Sequence, residues 1–308
     1  IKPLYKQGEH RLLIIDDTVE PKRGKLIEGS CKYIWSNKEH RSINALNIVS
    51  LNYADSHSTF QLDFSIKMNE SKRLDISEFT TKLHHRSNAY KRKSEIVKGK
   101  NTLAIEMLER ALDAGVEADY LLVDSWYAKP DFIKQSNDLG MPVIARVPNN
   151  KLIWNFKGKH KTLNSIYNNL KNIRHKQSGK HGKISYKYFD KIVEHSVLGR
   201  VKLVFLHTGK DLLVFISTDL QLLAKEILAT YKKRWNIEQG YKDLRNLFGL
   251  GKEENRIYEA LIAKITLSMF AYNIVSYINR IKHEPQTLGE LFRDLECELE
   301  SLAISMQL

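Results

Sequence analysis

Acidic residues stand at three places where a side chain could do chemistry. The apolar run at 11–18, RLLIIDDT, ends in Asp16 and Asp17, as a buried strand does when its end opens into a site. A second run, ADYLLVD, ends at Asp124. The third place is Glu238, in YKKRWNIEQGYKDLRNLFGLG from Tyr231 onward. On a helix turning about 100° per residue, Tyr231, Arg234, Glu238, Lys242 and Arg245 share one stripe about 80° wide. Ile237, Tyr241, Leu244 and Phe248 fall on an adjacent stripe suited to the core. Glu238 is thus the sole carboxylate on a face of Arg, Lys and Tyr. It reads either as a surface partner of Arg234 and Lys242 or as a metal ligand whose basic neighbours clamp phosphates. Trp235 fits as a core residue or as a base-stacking platform. Taken singly, Asp16 or Asp17 also reads as a strand-end cap, and Asp124 as the N-cap of a helix near Lys129. Acids of this kind, without Cys or a required His, suit Mg²⁺ or Mn²⁺ better than Zn²⁺.

The elements that must position these acids follow from periodicity. Residues 11–18 read as a central strand, and 43–54 with 59–66 as a hairpin across the turn formers at 55–58. Apolar spacing over 102–114 predicts a helix closed by Gly115, followed by the strand that ends at Asp124. Pro130 opens a helix that Gly140 ends, and PVIARV at 142–147 supplies another strand, so strand, helix and strand imply a parallel pair. A polar stretch then interrupts the pattern, and VKLVFLHTGKDLLVFIST reads as two strands around His207 to Lys210. Helical signal runs from Leu220 to the end, with 256–280 the longest helix. The whole predicts an α/β chain with a β-rich insertion: 1–147, the insertion at 148–212, and 213–308.

Among the 308 residues, Lys plus Arg number 49 against 36 Asp plus Glu, a net charge of +13. That excess favours a polyanionic partner, either nucleic acid or an anionic membrane surface. Lys22, Arg23 and Lys25, and the basic cluster at 82–100, are candidates for backbone-phosphate contacts. Cys31 and Cys297 form neither a CxxC pair nor a disulfide framework, which fits a reducing cytoplasmic setting. No uncharged apolar run approaches the roughly 20 residues that span a bilayer, and 261–278, with Lys264 inside it, reads as a buried helix; no membrane partner is expected. The chain opens at Ile1 with a polar, basic stretch in place of an initiator Met or an apolar signal core, which reads as a trimmed product.

The spacing Tyr231, Arg234, Glu238, Arg245 resembles the YREK signature of DDE transposases of the insertion-sequence-four family, with Arg in place of the final Lys. IIDDT at 14–18 is similar to that family's first-Asp strand and LLVDSWY at 121–127 to its second, in the expected order. The resemblance implies a ribonuclease-H-like mixed sheet flanked by helices, in which Asp16, Asp124 and Glu238 hold two Mg²⁺ or Mn²⁺ ions. By resemblance Asp16, two residues before Thr18, is the first ligand, with Asp17 the alternative, since adjacent strand residues face opposite ways and only one of the two is expected to reach the metals. The implied activity is cleavage at transposon ends followed by strand transfer into target DNA, carried out by a homodimer pairing two ends. Tyr231 and Arg234 are expected to grip a phosphate near the cut, with Lys242 able to share the role of Arg245. Two other readings share parts of this evidence: a non-catalytic DNA-binding remnant, and a ribonuclease-H-like nuclease for other substrates. The N-terminal DNA-binding region that the family leads one to expect has no evident counterpart in this sequence.

Overall fold

A computed structural model describes residues 10–24, 27–36, 39–68, 84–148, 153–170, 172, 177–181, 184–252, 254–282 and 286–305. In chain order its elements are β1 (Leu12–Pro21), β2 (Cys31–Ser36), β3 (Arg41–Ala54), β4 (Thr59–Lys67), α1 (Asn88–Glu95), α2 (Lys100–Asp113), β5 (Tyr120–Val123), α3 (Pro130–Asp138), β6 (Val143–Val147), β7 (Ile153–Phe156), β8 (Lys159–Thr162), α4 (Leu163–Leu170), β9 (Gln177–His181), β10 (Ile184–His195), β11 (Gly199–His207), β12 (Leu212–Ser217), α5 (Ala224–Lys232), α6 (Trp235–Asn246), α7 (Tyr258–Ile281) and α8 (Leu288–Ser305). They fall into two compact units, Ile1–Ile15 with Leu108–Trp235, and Asp16–Met107 with Asn236–Leu308.

The first unit is a mixed sheet with helices. Leu12 to Ile15 of β1 pair in parallel with Tyr120 to Val123 of β5, and β5 pairs in parallel with β6. Leu12, Leu13, Ile14 and Ile15 are all fully buried, as expected of a parallel strand covered on both faces. Arg11 locks the entrance of this pair: its backbone N–H donates to Asp119 Oδ2 at 2.7 Å and its guanidinium to Oδ1 at 2.8 Å. Helix α3 makes the crossover from β5 to β6, with Pro at its first helical position and Gly140 at φ +77° just past its end. Beyond β6 the pairing turns antiparallel through β12, β11 and β10, with β7 and β9 also on β10 and β8 on β7. The β11–β12 turn holds Gly209 at φ +91°, where the expected Thr-Gly turn lies.

In the second unit β3 and β4 form the expected hairpin, and β2 pairs with the opposite edge of β3 beside the later half of β1. The ladder shifts register between Leu51 and Asn52. There Asn273 of α7 stands in for a strand: Gln61 donates its N–H to Asn273 Oδ1 at 2.7 Å, and Asn273 Nδ2 donates to the Gln61 carbonyl at 2.7 Å. At the hairpin turn Asp55 accepts the backbone N–H groups of His57 and Ser58 and pairs with Arg280 of α7 at 2.8 Å, both side chains being only 4% exposed. Burial alone raises the Asp55 pKa, but Arg280 and the two N–H groups outweigh it and hold the carboxyl below its ordinary range. By length and apolar composition α7 could cross a membrane. In the fold Leu261, Ile262, Ile265, Met269 and Tyr272 are buried while the opposite face is exposed, so the expectation of a buried helix holds for one face only.

Helix α6 lies against the later half of β1. Its Tyr241 hydroxyl donates to the Asp16 carbonyl at 3.0 Å and shares a hydrogen bond with Ser50 at 2.8 Å. Arg245 donates from Nε to the buried Glu20 carboxylate at 2.8 Å and from Nη2 to the Thr18 hydroxyl. The continuous helix expected from Tyr231 is corrected here. The chain turns at Lys233 and Arg234, whose N–H groups bond back three residues to Thr230 and Tyr231, tightening and ending α5 before α6 begins. Tyr231 and Arg234 therefore belong to the end of α5 and the turn after it, while Glu238, Lys242 and Arg245 share one face of α6.

Two buried acids set the expected order of stability losses. Arg280→Ala leaves Asp55 charged and unpaired, and should cost about 3–5 kcal/mol in urea denaturation. Arg245→Ala should cost less, about 1–2 kcal/mol, since Arg245 is 39% exposed and the Thr18 hydroxyl still serves Glu20. The Asp55 pKa is depressed on folding, so its contribution is present above the unfolded pKa and is lost as pH falls through the folded value. The gap between the native chain and Arg280→Ala should accordingly close below the ordinary carboxylate value of about pH 4. A reversed order, or a gap that widens in acid, contradicts this packing.

Candidate active site

The last register pair of the parallel strands is Ile15 with Val123, so Asp16 and Asp124 are each the residue immediately following that pair. The backbone orients Asp124. Its Oδ1 accepts the N–H groups of Trp126 at 2.8 Å and Tyr127 at 3.3 Å, an Asx turn that closes the strand end and leaves the side chain half-exposed. Tyr127 is fully buried, and Trp126 stands edge-on to it at 5.0 Å while remaining 45% exposed. The Lys129 ammonium lies 4.8 Å from the centre of the Trp126 ring. In the same unit the Tyr231 ring packs 4.9 Å from Phe215. Burial pushes the Tyr231 hydroxyl up to about 12; the Asp124 charge adds to this, and Arg234 and Arg146 oppose it. The phenol thus remains a hydrogen-bond donor at neutral pH. The Arg234 guanidinium lies 5.9 Å from the Tyr231 ring centre, and Trp235 is 65% exposed.

In the second unit Asp16 and Asp17 face different surroundings, as adjacent strand residues do. Asp17 pairs through Oδ2 with Lys100 Nζ at 2.6 Å, both side chains being largely buried. Asp16 accepts the Asp17 N–H on Oδ1 at 2.8 Å, and its carbonyl takes the Tyr241 hydroxyl. Glu238 lies in the first turn of α6, one turn ahead of Tyr241 and half-exposed. Lys242 is exposed. Arg245 is committed to Glu20 and Thr18, which departs from its expected use as a clamp on phosphate.

The basic clusters divide. Lys22 is buried at 7% exposure and donates to the Gly251 carbonyl at 3.3 Å, so it is no surface phosphate contact, whereas Arg23 is exposed. Lys25 and Lys82 lie outside the described residues. Arg92 pairs with Asp63 at 2.7 Å and covers the Phe64 ring at 4.4 Å, a packing role in place of the expected DNA contact. His84, His85, Arg86 and Lys91 are exposed.

Among the described residues no three His, Cys, Asp or Glu side chains form a ready metal-binding group. Asp124 in the first unit, and Asp16 and Glu238 in the second, are each half-exposed carboxylates, the donor type that a hard divalent cation takes. Sequence reasoning missed Trp126 and Lys129, and it counted Lys100 among the phosphate contacts, whereas Lys100 pairs with Asp17. A Trp two residues beyond an Asp that ends a strand was the available signal for the first, because an Asx turn there holds the ring at the surface next to the acid.

Residues 2–164 match the family model described as DDE superfamily endonuclease. Residues 97–274 match the one described as Transposase DDE domain, and each match covers more than half of the chain. No curated protein matches it. On these two matches this chain belongs to the DDE superfamily of endonucleases and carries a transposase DDE domain.

Proposed function

We propose that this chain is the catalytic part of a cut-and-paste transposase of the insertion-sequence-four family, which cleaves transposon ends and joins them to target DNA. The observation that carries this reading is the β1–β5 register, which stops one residue short of both Asp16 and Asp124. The Tyr241 bond to the Asp16 carbonyl, one turn from Glu238, adds to it. Asp16, Asp124 and Glu238 would hold two Mg²⁺ or Mn²⁺ ions, which supply an activated hydroxyl and neutralise charge on the phosphate. Asp17 is the poorer first ligand, because its carboxylate is paired with Lys100. In this reading the core is ribonuclease-H-like, made of 1–147 and 213–308, with 148–212 inserted between them. In a bacterial-type cell this reading would put the protein in the cytoplasm with its DNA, and pairing two ends calls for two copies.

The chain's own residues have separable tasks. Asp124 is held for ligation by two backbone N–H groups. The protonated Tyr231 hydroxyl donates to a phosphate oxygen, and Arg234 beside it supplies charge. Lys242 takes the phosphate contact that the family signature gives to its last position, because Arg245 is bound to Glu20. The exposed rings of Trp126 and Trp235 offer stacking surfaces for bases displaced near the cut.

The test is Mg²⁺-dependent cleavage of a plasmid carrying the encoding element with its flanks. Asp16→Asn, Asp124→Asn and Glu238→Gln should each lose at least about 100-fold in rate, while Asp17→Asn stays within several-fold of the native chain. Unchanged cleavage by Glu238→Gln would sink the reading, and DNA binding with no cleavage by the native chain would leave a non-catalytic remnant in its place. Lys242→Ala should weaken binding with a shallower salt dependence, by about one phosphate contact.

A further inference from the structure

Helix α7 carries an exposed apolar stripe. Leu267, Phe270, Ile274, Tyr277 and Ile281 are 63%, 61%, 43%, 46% and 51% exposed. They recur at intervals of three and four residues, the 3.5-residue seam along which two helices pair. The opposite face is fixed to the fold by Asn273 on Gln61, Ser268 on the Phe248 carbonyl and Arg280 on Asp55. The helix is therefore rigidly presented, with Arg280 turned inward onto Asp55 and the exposed Lys282 just past the stripe's last residue.

The size of the stripe bears on what covers it. Side chains of this size exposed to this degree offer about 100 Å² each, so the stripe amounts to roughly 500 Å², the upper range of patches that monomers leave in water. Set against an identical stripe it would bury roughly 1,000 Å² in total, the size at which specific pairing begins. A two-fold arrangement needs only that a surface complement itself, and an uncharged 3–4 seam does so in either helix direction.

We propose that α7 is a self-association surface, along which two copies of this chain pair helix to helix through Leu267, Phe270, Ile274, Tyr277 and Ile281. This names the contact for the two-copy reading above and rests on it, while standing apart from the metal chemistry. Sedimentation equilibrium of the DNA-free protein between about 1 and 100 μM tests it. The native chain should be a dimer at the upper end, and Leu267→Glu with Phe270→Glu should be a monomer throughout, with an unchanged thermal melt. Should the double Glu variant fail to fold, Leu267→Ala with Phe270→Ala keeps helix propensity and should weaken the dimer at least ten-fold. A native chain that stays monomeric at 100 μM overturns the proposal. A dimer that survives both pairs of substitutions overturns this surface while leaving two-copy action intact, and cleavage by the monomeric variant at single ends shows separately that the nuclease reading stands.

Discussion

Strand β1 meets two different demands within ten residues. Leu12 to Ile15 are buried without interruption and pair in parallel with β5, while from Asp16 onward burial alternates, with Thr18 and Glu20 inward and Val19 and Pro21 less so. A strand covered on both faces tolerates only apolar side chains, and a half-covered strand admits polar ones on one face. The change of pattern falls at Asp16, so the first acid stands where the apolar sheet gives way to polar surroundings.

Helix α6 then has three jobs, divided among its faces. Ile237, Tyr241 and Leu244 are buried, and the buried Tyr241 phenol is held well above its ordinary pKa by desolvation and by the charge of Asp16, so it serves as a permanent donor to the Asp16 carbonyl. Glu238 and Lys242 line the face that also carries Arg245. Gly240 on a third side admits no side chain comfortably, since a Cβ there would come 3.1 Å from Gln61 Nε2. Arg245 answers to packing: the inward Glu20 carboxylate needs a cation, and the helix supplies it. Lys242, one turn earlier, is left in water.

Local periodicity made most strands legible. The runs that became β1, β3, β4, β5, β6, β11 and β12 alternate or are continuously apolar and are bounded by Gly, Pro or turn formers. The polar strands β8 and β9, KHKT and QSGKH, carry no such pattern and escaped notice; their pairing comes from neighbours. The break between α5 and α6 was equally silent, because a three-residue return at Lys233 and Arg234 needs neither Gly nor Pro. Non-local partners account for the remaining differences. Lys22 is buried by a carbonyl more than two hundred residues away and Arg245 is claimed by Glu20 at a similar separation, and no local window contains either fact. Lys100, which reaches Asp17 from the start of α2, is another such non-local partner.

The central claim is that the acids following the Ile15 and Val123 pair bind a divalent cation. Calorimetric titration of Mn²⁺ into the native chain and into Asp124→Asn, at matched folded concentration, tests it without relying on a DNA substrate. The account predicts saturable Mn²⁺ binding by the native chain and its loss in Asp124→Asn, with the thermal melt of the metal-free proteins unchanged. Equal Mn²⁺ binding by the two proteins would contradict it.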